Sequence, residues 1–243
     1  MAERSEAKNS DVFILVIPYN VDKSYLQSGD GSSQISVKIN ASDNNYANDA
    51  AHAIVNGKLH IFGGYYDRTK IARLDDCTLN ELTVRLNEQR KYGHAALSIE
   101  NGTKALICFG WSGDIPETLS ATGWTALPNH PKRISAHSLV GLENHSMLLI
   151  GGYDYGNGGG LQSGIWQLKD ENWNKIGELL QANYWGSAIY IGRSIYYFGY
   201  ESNAIQRLDF NETEDLQNVA QILNKPGDYY LPVLFQTVSD NCI

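Results

Sequence analysis

Three histidines stand in closely similar local text: AAHAIV around His52, YGHAAL around His94 and SAHSLV around His137. Three imidazoles brought to one point are a ligand set for catalytic zinc, with the fourth position left to water. Here that reading has little support. The fourth stretch of the same kind, WGSAIY, carries Ser187 where the others carry histidine, and no carboxylate recurs beside them. Residues also recur at equivalent places when each repeat solves the same packing and hydrogen-bonding problem. The latter is the expectation adopted, with no metal and no cofactor.

Other catalytic signatures are equally sparse. The run YDYGNGGGLQSG, residues 153–164, resembles a phosphate loop only in its glycines. No Gly-Lys-Ser/Thr follows, and no helix whose N-terminus would meet a phosphate, so it reads as a long flexible connection between two strands. No G-x-S-x-G elbow and no H-E-x-x-H pair occurs. SGDGSS at 28–33 only approaches the S-x-D-x-G-x-x-W turn of sialidases, and DNNYAND at 43–49 lacks the glycine of a calcium loop. Cys77, Cys108 and Cys242 have no paired spacing, so buried small hydrophobes are expected rather than a disulfide scaffold or a zinc site. Four N-x-S/T sequons, at Asn40, Asn101, Asn144 and Asn211, leave a secreted origin open without establishing it.

The bulk numbers narrow the setting. A hydrophobic content of 42% in 243 residues supports a real core, and 11% aromatic with 15 tyrosines and 23 glycines leans towards β structure with many turns. The formal charge of −8 and the lack of any lysine or arginine run argue against nucleic acid as partner. The longest apolar run, VFILVI at 12–17, is far too short to span a bilayer. The opening MAERSEAKNSDVFILVIPYN mixes both charge signs and has no small-residue cleavage site, so it does not read as a secretory signal. A cytoplasmic location is slightly favoured over a secreted one, and the compartment otherwise stays open.

The elements that must position any site repeat along the chain. HIFGGY at 60–65, LICFGW at 106–111, LLIGGY at 148–153 and YYFGY at 196–200 are each an apolar strand, then glycine, then an aromatic. Aligned on Gly64, Gly110, Gly152 and Gly199, they are spaced by 46, 42 and 47 residues. A short apolar strand precedes each, beginning near Ala50, Tyr92, Ser135 and Trp185. A third element follows as IARLDD at 71–76, IWQLKD at 165–170 and IQRLDF at 205–210, with only a weak counterpart around ETLSAT. A fourth is expected at LTVRL (82–86), WTALP (124–128), WNKIGEL (173–179) and LQNVAQI (216–222). Four short strands per repeat imply an antiparallel sheet that cannot stand alone and must stack on its neighbours around an axis.

RKYGHAALSIENGTKALICFG, AAHAIVNGKLHIFGG and SAHSLVGLENHSMLLIGG resemble kelch repeats. The double glycine is kept at Gly63-Gly64 and Gly151-Gly152, and becomes Phe109-Gly110 and Phe198-Gly199 elsewhere. The strand-four tryptophan survives at Trp124 and Trp173, the strand-three tyrosine is not evident, and the Trp-Asp pair of WD repeats is missing. The resemblance implies an all-β, kelch-type β-propeller of four-stranded antiparallel blades in one domain, with blades at roughly 48–88, 90–130, 133–180 and 184–224. The glycines are expected to be structural, where the backbone turns and packs closely. Copper-radical oxidases share the architecture, but the scattered cysteines here assemble no such site.

A fifth, closing blade is expected from residues 11–40 and 231–243. The C-terminal LPVLFQTVSDNCI supplies its first strand, and the N-terminal VFILVIPYN and QISVKIN supply its third and fourth. Its second strand is then missing, which suggests a truncated chain.

In such a blade the connection leading into strand one and the connection from strand two to three fall on one face. That face gathers Tyr65, Arg68, Arg90, Tyr92, Trp111, Arg133, Tyr153, Tyr155, Trp185 and Tyr200, residue types enriched where proteins bind proteins. In kelch modules this face commonly holds a protein or peptide, and the resemblance implies the same role here, without catalysis. A carbohydrate-binding or galactose-oxidase-like or sialidase-like propeller enzyme is the alternative, and a structural component of an assembly the next.

Overall fold

The structure is a computed structural model. It describes residues 12–86, 94–99, 102–108, 117–120, 123–126, 132, 134–144, 146–154, 156, 159–170, 172–200, 202, 204–225, 227 and 230–237. These residues form an all-β protein, in which several sheets are four-stranded and antiparallel. One short 3₁₀ turn, Val21–Lys23, interrupts the strands. Among the described residues no helix is long and apolar enough to cross a membrane.

Three sheets are built in chain order. The first runs Ala51–Val55, Lys58–Phe62, Ile71–Asp75, Thr78–Glu81, and the next Ser138–Gly141, Met147–Ile150, Gly164–Lys169, Asn172–Glu178. The last runs Ser187–Ile191, Ser194–Phe198, Ala204–Phe210, Leu216–Asn224. Between the first two lie the hairpins Ala95–Ile99/Lys104–Cys108 and Glu117–Ser120/Gly123–Ala126, which form separate two-stranded sheets. Tight turns join the first two strands of a sheet. At Asn56-Gly57 both residues have positive φ (51° and 73°), the geometry a two-residue hairpin loop needs to match strand twist.

A fourth four-stranded sheet joins the two ends of the chain. Val233–Thr237 pairs with Phe13–Ile17, which pairs with Tyr25–Ser28 and then Gln34–Ser36. This corrects the expected assembly in two ways. Phe13–Ile17 is the second strand of the sheet rather than the third, and YLQS, which lies between VFILVIPYN and QISVKIN, is the third. No strand of this sheet is missing, because residues 12–36 supply three strands and not two. Elsewhere, the outer strand of the first sheet is Thr78–Glu81, just upstream of the expected LTVRL. The glycine-rich connection after Ile150 is more ordered than expected: Tyr153–Asp154 and Gly160–Leu161 pair with each other, and Tyr153–Asp154 also pairs with Ile134–Ser135.

Period-two alternation divides each inner strand between two cores. In Phe13–Ile17, Leu15 and Ile17 pack with Leu59, Ile61 and Ala72 of the first sheet. Ile14 and Val16 pack with Tyr196, Phe198 and Ile205 on the other side. In Ser194–Phe198, Ile195 and Tyr197 face Leu148, Ile150 and Ile165. In Met147–Ile150, Met147 and Leu149 face Ala95 and Leu139. Strands buried on both faces read as unbroken apolar runs, FILVI, MLLI and SIYYF, and a one-residue slip would exchange the two cores of each. The outer strands, NWNKIGE and LQNVAQILN, bury little.

The first strands are also neighbours of one another. Ala51–Val55 contacts Ala95–Ile99, which contacts Ser138–Gly141, then Ser187–Ile191, then Val233–Thr237, which returns to Ala51–Val55. Side chains bridge the steps: Ser98 Oγ donates to the Ile54 carbonyl (2.6 Å) and Ser138 Oγ to the Gly186 carbonyl (2.7 Å). Cys77, in the turn before Thr78, is disulfide-bonded, which corrects the expectation of a purely packing role for this cysteine.

Candidate functional site

Two residues before the first strand of each of four sheets, the backbone turns left-handed. The positions are Asp49 (φ 54°), Ala136 (φ 53°), Trp185 (φ 49°) and Leu231 (φ 44°). None is glycine, so each carries a steric cost of about 1–2 kcal/mol. Hydrogen bonds offset it. The Trp185 amide donates to the Ala136 carbonyl (2.8 Å), and the Leu231 amide donates to the Trp185 carbonyl (2.7 Å). Three of the four kinks, at Ala136, Trp185 and Leu231, are thus tied to each other from sheet to sheet, and the side chains around the kinks collect at one end of the inner strands.

Those side chains are aromatic. Tyr184 stacks on Trp185 with ring centres 4.8 Å apart, and Trp185 lies 5.6 Å from Tyr200 and 6.0 Å from Tyr230. Tyr153 reaches Tyr184 at 6.1 Å, Tyr200 meets Tyr230 edge to face at 5.7 Å, and Tyr19 stacks on Tyr230 at 5.2 Å. These six rings come from the 134–161 segment, the last chain-ordered sheet and both chain segments of the closing sheet, and all are partly exposed. Buried Asn183 fixes the arrangement. Its Oδ1 accepts from the Tyr200 amide and its carbonyl from the Gly152 amide, both at 2.7 Å.

Asn48 links this cluster to the first sheet. Its Oδ1 accepts from the Tyr230 hydroxyl (2.5 Å), and its carbonyl accepts from the Tyr65 amide (2.8 Å). Gly64 explains why a glycine is needed here: at φ 128° a Cβ would sit 2.9 Å from the Asn48 carbonyl oxygen. Tyr65 and Tyr66 pack edge to face at 5.2 Å and are the most exposed aromatics described, at 53% and 67%. Next to Asn48 in sequence and close to Tyr230 is Asp49, half-buried. Burial pushes its carboxyl up to about 6, and among the described residues no charge or hydrogen bond acts against it. Burial first, then the neighbouring Asp49 and the tyrosines Tyr19, Tyr66 and Tyr200, push the Tyr230 hydroxyl up to about 12.

The structure does bring the three recurring histidines together. His52, His94 and His137 line one narrow passage of about 60 Å³, with Ser187 at the fourth place. Two of them are committed to bonds between sheets. His94 Nε2 donates to the Phe62 carbonyl (3.0 Å), and His52 Nε2 accepts from the Leu234 amide (3.2 Å). The His52 lone pair that would bind a metal is therefore engaged, and burial holds this imidazole down to about 4. Among the described residues no group of three His, Cys, Asp or Glu is placed to hold a metal ion. The passage adjoins a cavity of about 520 Å³ whose wall takes residues from all five first strands, including Ile54, Leu97, Leu139, Ile189 and Leu234.

Of the ten residues expected on the binding face, Tyr153, Trp185 and Tyr200 are in the ring cluster, and Tyr65 is joined to it through Asn48. Arg68 is half-buried in the same loop as Tyr65, whose Asp67 carboxylate pairs with Arg85 (2.6 Å). Arg90, Tyr92, Trp111, Arg133 and Tyr155 lie outside the described residues. Sequence reasoning missed Tyr19 and Tyr230. Each sits next to a strand of the closing sheet, and the only signal available was that sheet's assembly. No protein-family model matches this chain, and no curated protein matches it.

Proposed function

We propose that the chain is a kelch-type β-propeller of five blades whose aromatic loop face captures a protein or peptide segment carrying a basic side chain, without catalysis. The cyclic succession of first strands, the alternation of cores between adjacent sheets and the glycine-aromatic repeats support the propeller. The fifth blade is then the sheet made from both chain ends, an arrangement that removes exposed strand edges.

One observation carries the binding role: six partly exposed rings pack into a continuous surface beside the Asp49 carboxylate, which no ion pair among the described residues neutralises. Trp and Tyr bury much area at little entropic loss and dominate binding hot spots. Asp49 is held in a desolvated place at the expense of stability. An incoming lysine or arginine would return its charge to a paired state and lie against the ring faces. A net charge of −8 favours approach of a basic partner as well. His52 and His94 of the inner passage are occupied in joining sheets, which argues for scaffolding rather than chemistry at those two positions.

The test is to pan a random peptide library against the immobilised protein. Sequences with lysine or arginine next to an apolar or aromatic residue should be enriched. Trp185→Ala combined with Tyr200→Ala should weaken their capture about tenfold or more, equivalent to about 1.4 kcal/mol. Lys175→Ala, on an outer strand, should leave capture unchanged. Enrichment of acidic peptides, or capture indifferent to both ring substitutions, would overturn the reading. Tyrosine and tryptophan also stack on sugars, so an oligosaccharide panel runs alongside; ring-dependent capture of sugars but not peptides would replace the peptide by a carbohydrate.

A further inference from the structure

The sequons look different once folded. Asn144 and Asn211 lie in turns between adjacent antiparallel strands, and both side chains are fixed in the same way. The Ser146 amide donates to Asn144 Oδ1 (2.9 Å). The Thr213 amide and hydroxyl both donate to Asn211 Oδ1 (3.0 and 2.9 Å). In each case the hydroxyl residue of the sequon engages the carboxamide oxygen. Asn211 Nδ2 spends one hydrogen on Asp215 Oδ2 (3.3 Å) and keeps the other. Asn144 is exposed and Asn211 half-exposed.

The two turns are docked side by side. The buried Glu214 carboxylate, two residues beyond Glu212, accepts from the Glu143 and Asn144 amides (both 2.7 Å) and from the Tyr190 hydroxyl (3.0 Å). Both turns stand at the strand ends remote from Tyr184, Trp185 and Tyr200. Bulky groups there would leave the aromatic face clear.

A second, independent observation concerns the compartment. Cys77 is disulfide-bonded, and disulfides persist in oxidising surroundings such as the secretory pathway. A third sequon sits against that turn: the Asn40 amide donates to the Cys77 carbonyl (2.8 Å), while its side chain is exposed. Asn101, the fourth, lies outside the described residues.

We propose that this chain folds in the secretory pathway and carries N-linked glycans at Asn144 and Asn211, with Asn40 as a further acceptor. The donor is an oligosaccharide on a lipid pyrophosphate. Nδ2 forms a bond to the sugar's anomeric carbon and loses one proton, and the lipid pyrophosphate leaves. The remaining N–H of Asn211 keeps its bond to Asp215. The inference is independent of what the aromatic face binds.

The full chain, expressed in mammalian cells behind a secretion leader, is recovered from cells and medium together and mapped by mass spectrometry before and after treatment with a peptide-N-glycosidase. Glycan is expected at Asn144 and Asn211. Asn144→Gln and Asn211→Gln should each remove one glycan, and Thr213→Ala should empty Asn211 while Thr213→Ser retains occupancy. Circular dichroism melting separates loss of glycan from loss of fold. Alkylation without reductant should leave Cys77 unlabelled. Folded protein bare at both Asn144 and Asn211, or a freely alkylated Cys77, would overturn the proposal.

Discussion

The Leu231 amide donates to the Trp185 carbonyl at 2.7 Å, joining the strand at the C-terminal end of the described chain to the sheet before it. Each residue is left-handed and each lies two positions before an inner strand. The bond explains why residues that disfavour positive φ adopt it: the kink aims a donor at the next sheet. Leu231→Pro removes that donor and demands a φ near −65°, so it should destabilise the fold by about 3 kcal/mol or more. Leu231→Ala keeps the donor and loses only side-chain burial, which makes it the control. Urea midpoints of the two variants check the ordering, and equal losses would show the bond to be dispensable.

Two partly buried titratable groups act in opposite directions between pH 4 and 6.5. His52 is held down to about 4 from 6.5, so the unfolded chain takes up the proton first and stability is lost as pH falls through that window. The loss is at most roughly 3 kcal/mol, less where solvent reaches the ring. Asp49 is pushed up to about 6 from 3.8, so its contribution is present at low pH and lost as pH rises towards 6. Asp49→Asn, whose side chain tolerates left-handed backbone, should therefore raise stability at pH 7 by roughly 1–2 kcal/mol after allowance for solvent screening, and add nothing near pH 3.5. His52→Gln should flatten the loss on acidification. Melting temperatures across this range read both effects, and an Asp49→Asn gain that persists at pH 3.5 would contradict the assignment.

The histidines of the inner passage are expected to behave as bonds between sheets. His94→Ala leaves the Phe62 carbonyl buried and unpaired, at about 1–3 kcal/mol. His94→Gln restores a donor and should recover part of the loss. Zinc added to the wild-type protein should leave its melting temperature unchanged, whereas a concentration-dependent rise would restore the metal reading.

How far the sequence disclosed this structure follows from what each residue does. Strands buried on both faces announce themselves as FILVI, MLLI and SIYYF, and the glycines after them mark close backbone approach, as Gly64 does against Asn48. The expected LTVRL falls a few residues downstream of the outer strand Thr78–Glu81 because TLNE has almost no apolar face to betray it. YLQS went unrecognised among serines and glycines, and with it the sheet's strand order. Trp185 and Tyr200 were legible as loop aromatics following a repeat. Tyr19 and Tyr230 were not, because what brings them together is pairing between distant ends of the chain. Nothing local signals a left-handed Ala136 or Leu231, since their conformation is imposed by the neighbouring sheet.

The most direct measurement concerns the sheet that joins those ends. Phe13 and Thr237 are facing partners in an antiparallel pair, where Cα atoms lie about 4.5–5.5 Å apart, within reach of a disulfide. Oxidation of the Phe13→Cys/Thr237→Cys protein should give an internally crosslinked monomer that unfolds at a higher urea concentration than its reduced form. Crosslinked dimers alone, or two thiols that stay apart in a protein with its melting temperature intact, would contradict the pairing of both ends of one chain in a single sheet.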